Sequence, residues 1–390
     1  MGCPFDQVVD RRNTDCIKWD GVLEVFGRED VLPMWVADMD FRPPETVIKA
    51  VMERAAHGVY GYEKKPCSFT DAVLNWYQTR QGWEIDPAWL IHTPGVVAGL
   101  TLSVLALTEP GEPVVIQPPV YPPFYGVLKS NGRTVVENPL VEVDGKYVMN
   151  VGELEDIFRS GVKTMLLCSP HNPVGRVWSR AELEKLGELV LRYGVTVIND
   201  EIWSDLVFPG AKHIPFATLS PEIARQTLTF NAPSKTFNIA GLHISNGIIP
   251  NKEYREKICG FMERLHMCSV NFFGMVAAEA AYTTGSQWLD SLLDYLEENA
   301  SCVRKELGRI APQISIAQSE GTFVLWLDCR ELGIPLEELN QFFVQEAGIA
   351  FNEGSSFGPV GLGFQRMNIG CPRSLIKEAL SRLERALSAL

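Results

Sequence analysis

The chain has 390 residues, 46% of them hydrophobic and 21% charged, which suits a globular protein with a sizeable core and, by length, two domains. Its net charge of −13 and pI near 5.1 argue against nonspecific binding to nucleic acid or to an anionic membrane surface. No apolar run approaches roughly 18 residues, so no membrane span is expected.

The stretch Met1 to Asp6 lacks the charged and apolar regions of a secretion signal. Met1-Gly2 opens as a myristoylation motif does, but Phe5 and Asp6 fit that motif poorly. The nine cysteines contain no Cys-x-x-Cys pair. Cys168, Cys259, Cys268 and Cys329 read as reduced thiols used as small core residues, as in a cytoplasmic protein. The histidines are scattered without metal-ligand spacing, so no metal is expected.

The first 40 residues read as irregular and aromatic-rich. Within Pro33 to Phe41, Asp38 and Asp40 interrupt an apolar run and need partners. A site wall and plain loop or capping aspartates fit them equally. Pro43 and Pro44 open a helix to about His57, and Val59 to Glu63 reads as a glycine-centred turn with Tyr60 and Tyr62. A helix spans Phe69 to Gln81, with Phe69, Ala72, Val73 and Trp76 at helical spacing. Thr93 is the expected N-cap of a further helix, with Pro94 at its first position. The free N–H groups of Gly95, Val96 and Val97 then make a ready anion site.

Short apolar runs at Val114–Gln117, Thr134–Glu137, Thr164–Cys168 and Val195–Ile198 read as strands. Helices separate them, including one opened by the capping box Ser179/Glu182 and ending at Tyr193. Strands at Thr227–Phe230 and Ile244–Ile249 flank a polar turn that holds Lys235. Taken alone, this lysine fits a surface hairpin turn and a desolvated, Schiff-base-forming amine equally. Helices are expected over Asn251–Cys268, Gln287–Arg309, Pro335–Ala347 and Pro372–Leu390. The strands expected between the last three are Thr322–Asp328, Ile349–Phe351 and Phe364–Gly370, the last carrying Arg366. Unbroken apolar strands alternating with helices indicate a parallel-rich sheet covered on both faces. Ligands of such sheets collect at the carboxyl ends of the strands. Asn172, Asp200 and Lys235 each follow a strand, as does Tyr121.

The ordered set Asn172-Pro173-x-Gly175, Asp200-Glu201-Ile202, Ser234-Lys235 and Arg366 resembles the fold-type I pyridoxal phosphate enzymes, the aspartate aminotransferase superfamily, over essentially the whole chain. Lys18-Trp19-Asp20, Pro33-Met34-Trp35, Asp38-Met39-Asp40-Phe41, His57 to Tyr62 and Asn368 to Arg373 resemble its MalY/PatB branch of cystathionine β-lyases and related carbon–sulfur lyases. The resemblance implies an α/β fold, with a large, mostly parallel cofactor domain at 46–284. A smaller α+β domain is formed by 1–45 and 285–390. It implies pyridoxal 5′-phosphate held by Lys235, which also moves the substrate Cα proton. Asp200 pairs with the ring nitrogen, Asn172 bonds the ring 3′-oxygen, and Tyr121 stacks on the ring. Gly95, Val96, Val97 and Ser234 cradle the phosphate. Tyr62 reaches the phosphate of a neighbouring subunit, which makes the protein a homodimer with shared sites. Arg366 grips the α-carboxylate of an amino-acid substrate, and Asp38 lies beside that substrate.

Three positions depart from the aminotransferase pattern: Trp203 stands for a tyrosine, Ala232 for a serine and His243 for an arginine. The expected activity is β-elimination of L-cystathionine or a related cysteine S-conjugate. The same catalytic set also serves an aminotransferase of aromatic or neutral amino acids. A regulator acting through partner contacts is disfavoured, because no basic surface or helix-turn-helix is present and the lysine is intact.

Overall fold

The structure, a computed structural model, describes residues 3–389. The Met1-Gly2 motif and the last residue of the expected terminal helix, Leu390, lie outside it.

The central sheet has seven strands: β1 (Leu90–Thr93), β2 (Pro113–Ile116), β3 (Thr134–Glu137), β4 (Thr164–Cys168), β5 (Thr196–Asp200), β6 (Thr227–Asn231) and β7 (Ser245–Ile248). Their order is β1-β7-β6-β5-β4-β2-β3. All neighbours are parallel except β7, which runs against both β1 and β6. Alternate residues of each apolar strand face opposite layers. Val115, Met165, Leu167 and Val197 pack on one side with Leu154, Phe158, Leu183 and Leu186. Val114, Ile116, Leu166, Ile198 and Leu228 pack on the other with Leu100, Val104, Ile258 and Met262. Two buried faces explain why the strands lack polar alternation.

The principal helices are α1 (Glu45–Ala56), α2 (Cys67–Gln81), α3 (Val96–Leu107), α4 (Val151–Arg159), α5 (Arg180–Tyr193), α6 (Lys252–Arg264), α7 (Phe272–Thr284), α8 (Ser286–Ile310) and α9 (Arg373–Leu387). The capping box of α5 forms as expected, with Ser179 and Glu182 each accepting the other's backbone N–H. α3 differs at its start. Thr93 ends β1, and its hydroxyl bonds Ser245 at 2.6 Å instead of capping a helix. Gly95 takes the capping position at φ 150, a backbone angle that a side chain disfavours. Cys268 is exposed, beyond the end of α6 at Arg264, and is not a core residue.

A second sheet is antiparallel throughout: β8 (Ser315–Ile316), β9 (Val324–Asp328), β10 (Asn352–Glu353) and β11 (Phe364–Asn368), in the order β8-β9-β11-β10. The expected helix over 335–347 shrinks to a turn at Leu339–Gln341 followed by a π-turn at Phe342–Glu346. Phe342, Phe343 and Val344 are buried in succession there, which suits a wider turn better than a one-faced helix. Leu32–Pro33 pairs in parallel with Ile349–Ala350, so the two ends of the chain meet. Among the described residues no helix is long and apolar enough to cross a membrane, and no acidic, His or Cys group could hold a metal.

Candidate active site

β4, β5 and β6 end side by side, with Cys168 opposite Asp200 and Asp200 opposite Phe230. Their carboxyl ends open onto a cavity of about 350 Å³. Gly95, Val96, Val97, Tyr121, Asn172, Asp200, Ser234 and Lys235 all line it. Eight expected site residues from five separate segments thus reach one space. The lining also includes Ala37, Cys168, Trp203 and His243.

Lys235 sits on a one-turn helix, Pro233–Thr236, just after β6. Thr236 anchors that turn by donating to buried Asp205 at 3.0 Å, which Trp76 also bonds. The Lys235 Nζ donates to the Ala37 carbonyl and lies 5.7 Å from the Trp203 ring centre. Burial lowers its pKa to about 8; Arg366 acts in the same sense, while Asp38 and Asp200 act against it.

Asp200 is buried, and burial raises its pKa to about 7 against the Ile202 N–H, 3.0 Å from Oδ1, and the nearby Lys235. No other hydrogen bond reaches its carboxylate among the described residues. A carboxylate so placed suits a cationic partner, such as a protonated ring nitrogen.

Asn172 follows β4 in a turn closed by the His171–Arg176 bridge. Arg176 is wholly buried and pairs with Glu182 and Glu320, each at 2.9 Å. Arg366, on β11, donates to Asn172 Oδ1 at 3.2 Å and to the Trp35 carbonyl at 2.7 Å. Among the described residues its Nε is buried without a partner, and burial without a carboxylate lowers its pKa to about 10. Such a guanidinium lacks an anion that could fork onto it. At the far end of the cavity, the first N–H groups of α3 have no helical acceptors, and Ser234 makes no side-chain hydrogen bond among the described residues. A phosphate fits that end. The unpartnered atoms therefore match pyridoxal 5′-phosphate with an amino acid: an acid for the ring nitrogen, an amide for the ring oxygen, donors for the phosphate and a guanidinium for the carboxylate.

Three expected residues do not line the cavity: Arg366 adjoins it through Asn172, and Tyr62 and Asp38 lie elsewhere. Tyr62 is fully exposed in the extended segment after α1 and does not line the cavity of its own chain. Asp38 faces a neighbouring cleft of about 240 Å³, where Arg11 pairs with it at 2.5 Å. Asp40 is deeply buried and bonds Lys18, Trp19 and Arg11 at 2.6–2.8 Å. Burial pushes its carboxyl up, yet Lys18, Trp19 and Arg11 outweigh this and hold it below the usual range. Both aspartates thus serve a charge cluster under the segment 35–41.

That segment has no regular structure, yet side chains take up its carbonyls. Arg366 bonds Trp35, Lys235 bonds Ala37, and Asn368 bonds both Val36 (2.6 Å) and Asp38 (2.7 Å). Asn238 bonds the carbonyls of Met39 and Phe41 and accepts from the Met39 N–H, at 2.8–2.9 Å. Sequence reading missed both asparagines, because each works on backbone roughly 200 to 330 residues away.

Residues 29–383 match the family model described as aminotransferase class I and II. Cystathionine beta-lyase PatB of Bacillus subtilis is 44% identical over 98% of this chain and all of its own length. Protein MalY of Escherichia coli is 35% identical over 99% of each chain. The crystal structure of cystalysin from Treponema denticola, which contains a pyridoxal 5′-phosphate cofactor, superposes with a TM-score of 0.96 at 35% identity, over the full length of both chains. Whole-length likeness of sequence and fold, around a cavity of matching donors, places this chain in the aminotransferase class I and II family, on the branch of PatB and MalY.

Proposed function

We propose that the protein is a pyridoxal phosphate-dependent carbon–sulfur β-lyase that cleaves L-cystathionine or a related L-cysteine S-conjugate to pyruvate, ammonia and a thiol. The observation that carries this reading is Lys235, a buried amine with its pKa lowered to about 8, near Asp200 and near an Arg366 guanidinium whose Nε is free among the described residues. The full-length likeness to a relative named cystathionine beta-lyase supports the choice of reaction.

The cofactor, when bound, draws electrons from the substrate Cα and so acidifies its C–H bond. Arg366 takes the α-carboxylate through its free Nε edge and so fixes the substrate's rotation about Cα. Asn172, bonded to that guanidinium, directs its amide N–H groups to the ring oxygen. Asp200 keeps the ring nitrogen protonated. The N–H groups of Val96 and Val97, with Ser234, hold the phosphate, and Tyr121 covers one ring face. Lys235 holds the cofactor at rest; displaced by the substrate amine, its Nζ takes the Cα proton. The Cβ–S bond then breaks, and the thiolate leaves with the bonding pair. The unsaturated amino acid left behind consumes one water and yields pyruvate and ammonia.

We read the active form as a homodimer in the cytoplasm, in which Tyr62 reaches the phosphate site of the other subunit. Its full exposure supports that reading, and the free cysteines suit that compartment. We further read 46–284 as the cofactor domain and 1–45 with 285–390 as the small domain; the pairing of Leu32–Pro33 with Ile349–Ala350 favours joining the two ends.

The test is to incubate the cofactor-loaded protein with a panel of cysteine conjugates and assay pyruvate and thiol together. Equimolar release is expected, and Lys235→Ala is expected to reduce it by roughly 10³-fold and to abolish the visible absorbance band. Transfer of the amino group to a keto acid without thiol release would overturn the lyase reading.

A further inference from the structure

Lys235 needs more than a low pKa. To take a proton from Cα, its lone pair must point at Cα, and the long lysine chain has several rotamers. One group in the structure fixes the amine: the Ala37 carbonyl, which accepts from Nζ. After proton transfer Nζ is an ammonium, a stronger donor than the amine. A fixed carbonyl beside it therefore favours the state reached after transfer over the state before it.

Ala37 is in irregular backbone, which does not hold a carbonyl in place by itself. Asn368 bonds the carbonyls on either side of it, those of Val36 and Asp38. Asn238 clamps Met39 on both its N–H and its C=O. The two clamps come from the segments that carry the base and the carboxylate-binding arginine. Asn238 is in the lysine loop, three residues past Lys235, and Asn368 is on β11, two residues past Arg366. Asn238 has φ +55, the left-handed region that asparagine tolerates better than most residues. That local strain makes sense if the side chain must face the segment 35–41.

We propose that Asn238 and Asn368 are positioning residues for proton transfer: they lock the segment 35–41 so that the Ala37 carbonyl orients Nζ of Lys235. The proposal rests on the reading of Lys235 as the Cα base. It assigns each asparagine a role in geometry and none in contact with substrate.

The test uses Asn238→Gly, which keeps the left-handed backbone relaxed, and Asn368→Ser, both cofactor-loaded. Three measurements are made. The first is hydrogen exchange at the Met39 amide, expected to rise about tenfold in Asn238→Gly while amides of β6 stay unchanged. The second is exchange of the Cα proton of L-alanine in D2O, expected to slow about tenfold in each variant at an unchanged cofactor spectrum. The third is the primary isotope effect on kcat with a Cα-deuterated cysteine conjugate, expected to grow while KM stays within about threefold. A merely structural role would lower thermal stability and leave the alanine exchange and the isotope effect alone. Faster Met39 exchange with proton transfer still at the wild-type rate would overturn the proposal. If Asn368→Ser does not fold, Asn238→Gly alone decides. The alanine measurement needs no elimination, so it stays informative even if the lyase reading fails.

Discussion

At the scale of single residues, charge and desolvation decide the outcome. In cofactor-free protein the Lys235 amine titrates near 8 instead of 10.5. Its labelling by a reductive alkylating reagent should therefore reach half-maximum near pH 8, read by mass spectrometry. Asp38 favours the ammonium form, so Asp38→Asn should move that midpoint lower. An upward move would contradict this account. Arg366→Lys replaces a fork with a point charge. Losing a hydrogen bond to a charged group costs about 1.5–3 kcal/mol, so kcat/KM should fall roughly 10- to 150-fold. A conjugate lacking the carboxylate should react equally well with both proteins. Lys235, Asp200, Asn172 and Tyr121 were legible in the sequence because each follows its own apolar strand, and strand ends converge in a parallel sheet. Asp38 was less so: its partner Arg11 is distant in sequence, and nothing local ranks an ion pair above a substrate contact. Asn238 carried no local signal, and Asn368 only its place in the stretch Asn368 to Arg373, with no role attached.

At the scale of elements, close packing holds the phosphate end of the cavity in place. A Cβ on Gly99, in α3, would lie 2.4 Å from Phe230 Cδ1, and one on Gly247, in β7, would lie 2.8 Å from Phe230 Cε1. The buried ring is held between two glycines and has no room to step aside. Alanine is the better helix former by about 1 kcal/mol, but overpacking costs about 1–3 kcal/mol. Gly99→Ala should therefore lower the urea midpoint and also weaken cofactor retention, because the start of α3 is pushed off the sheet. A stabilised variant would refute the packing argument. The amphipathic helices and buried strands were readable from their periods, often to within a residue or two. α7 was not, because its buried positions Gly274, Met275, Ala277, Ala278, Ala281 and Tyr282 leave no polar stripe to set a period. The hairpin of Val141–Val143 with Lys146–Val148 is different. It turns through Asp144 and Gly145, both at positive φ, and the Asp-Gly pair between alternating residues is a recognised signal that went unread.

At the scale of the whole molecule, Tyr62 stands apart: it is fully exposed, while every other expected cofactor contact lines the cavity. If each site borrows Tyr62 from a second copy, Lys235→Ala and Tyr62→Phe damage opposite halves of one site. Mixing the two variants under conditions that exchange subunits should give more pyruvate than the sum of the separate proteins. Strict additivity would mean that each chain completes its own site. The antiparallel placement of β7 was beyond sequence reading, since a local pattern does not fix strand order; the joining of 1–45 with 285–390 was implied only by the family resemblance. That meeting of ends has a consequence during synthesis. Leu32–Pro33 pairs with Ile349–Ala350, and the carbonyl of Trp35 waits for Arg366. At about 5–20 residues per second, the segment that walls the active site emerges roughly 15–60 s before its partners exist. A nascent chain stalled before β11 can already build most of its cofactor sheet, yet it cannot hold a substrate. The enzyme therefore becomes competent only after β11 has been synthesised.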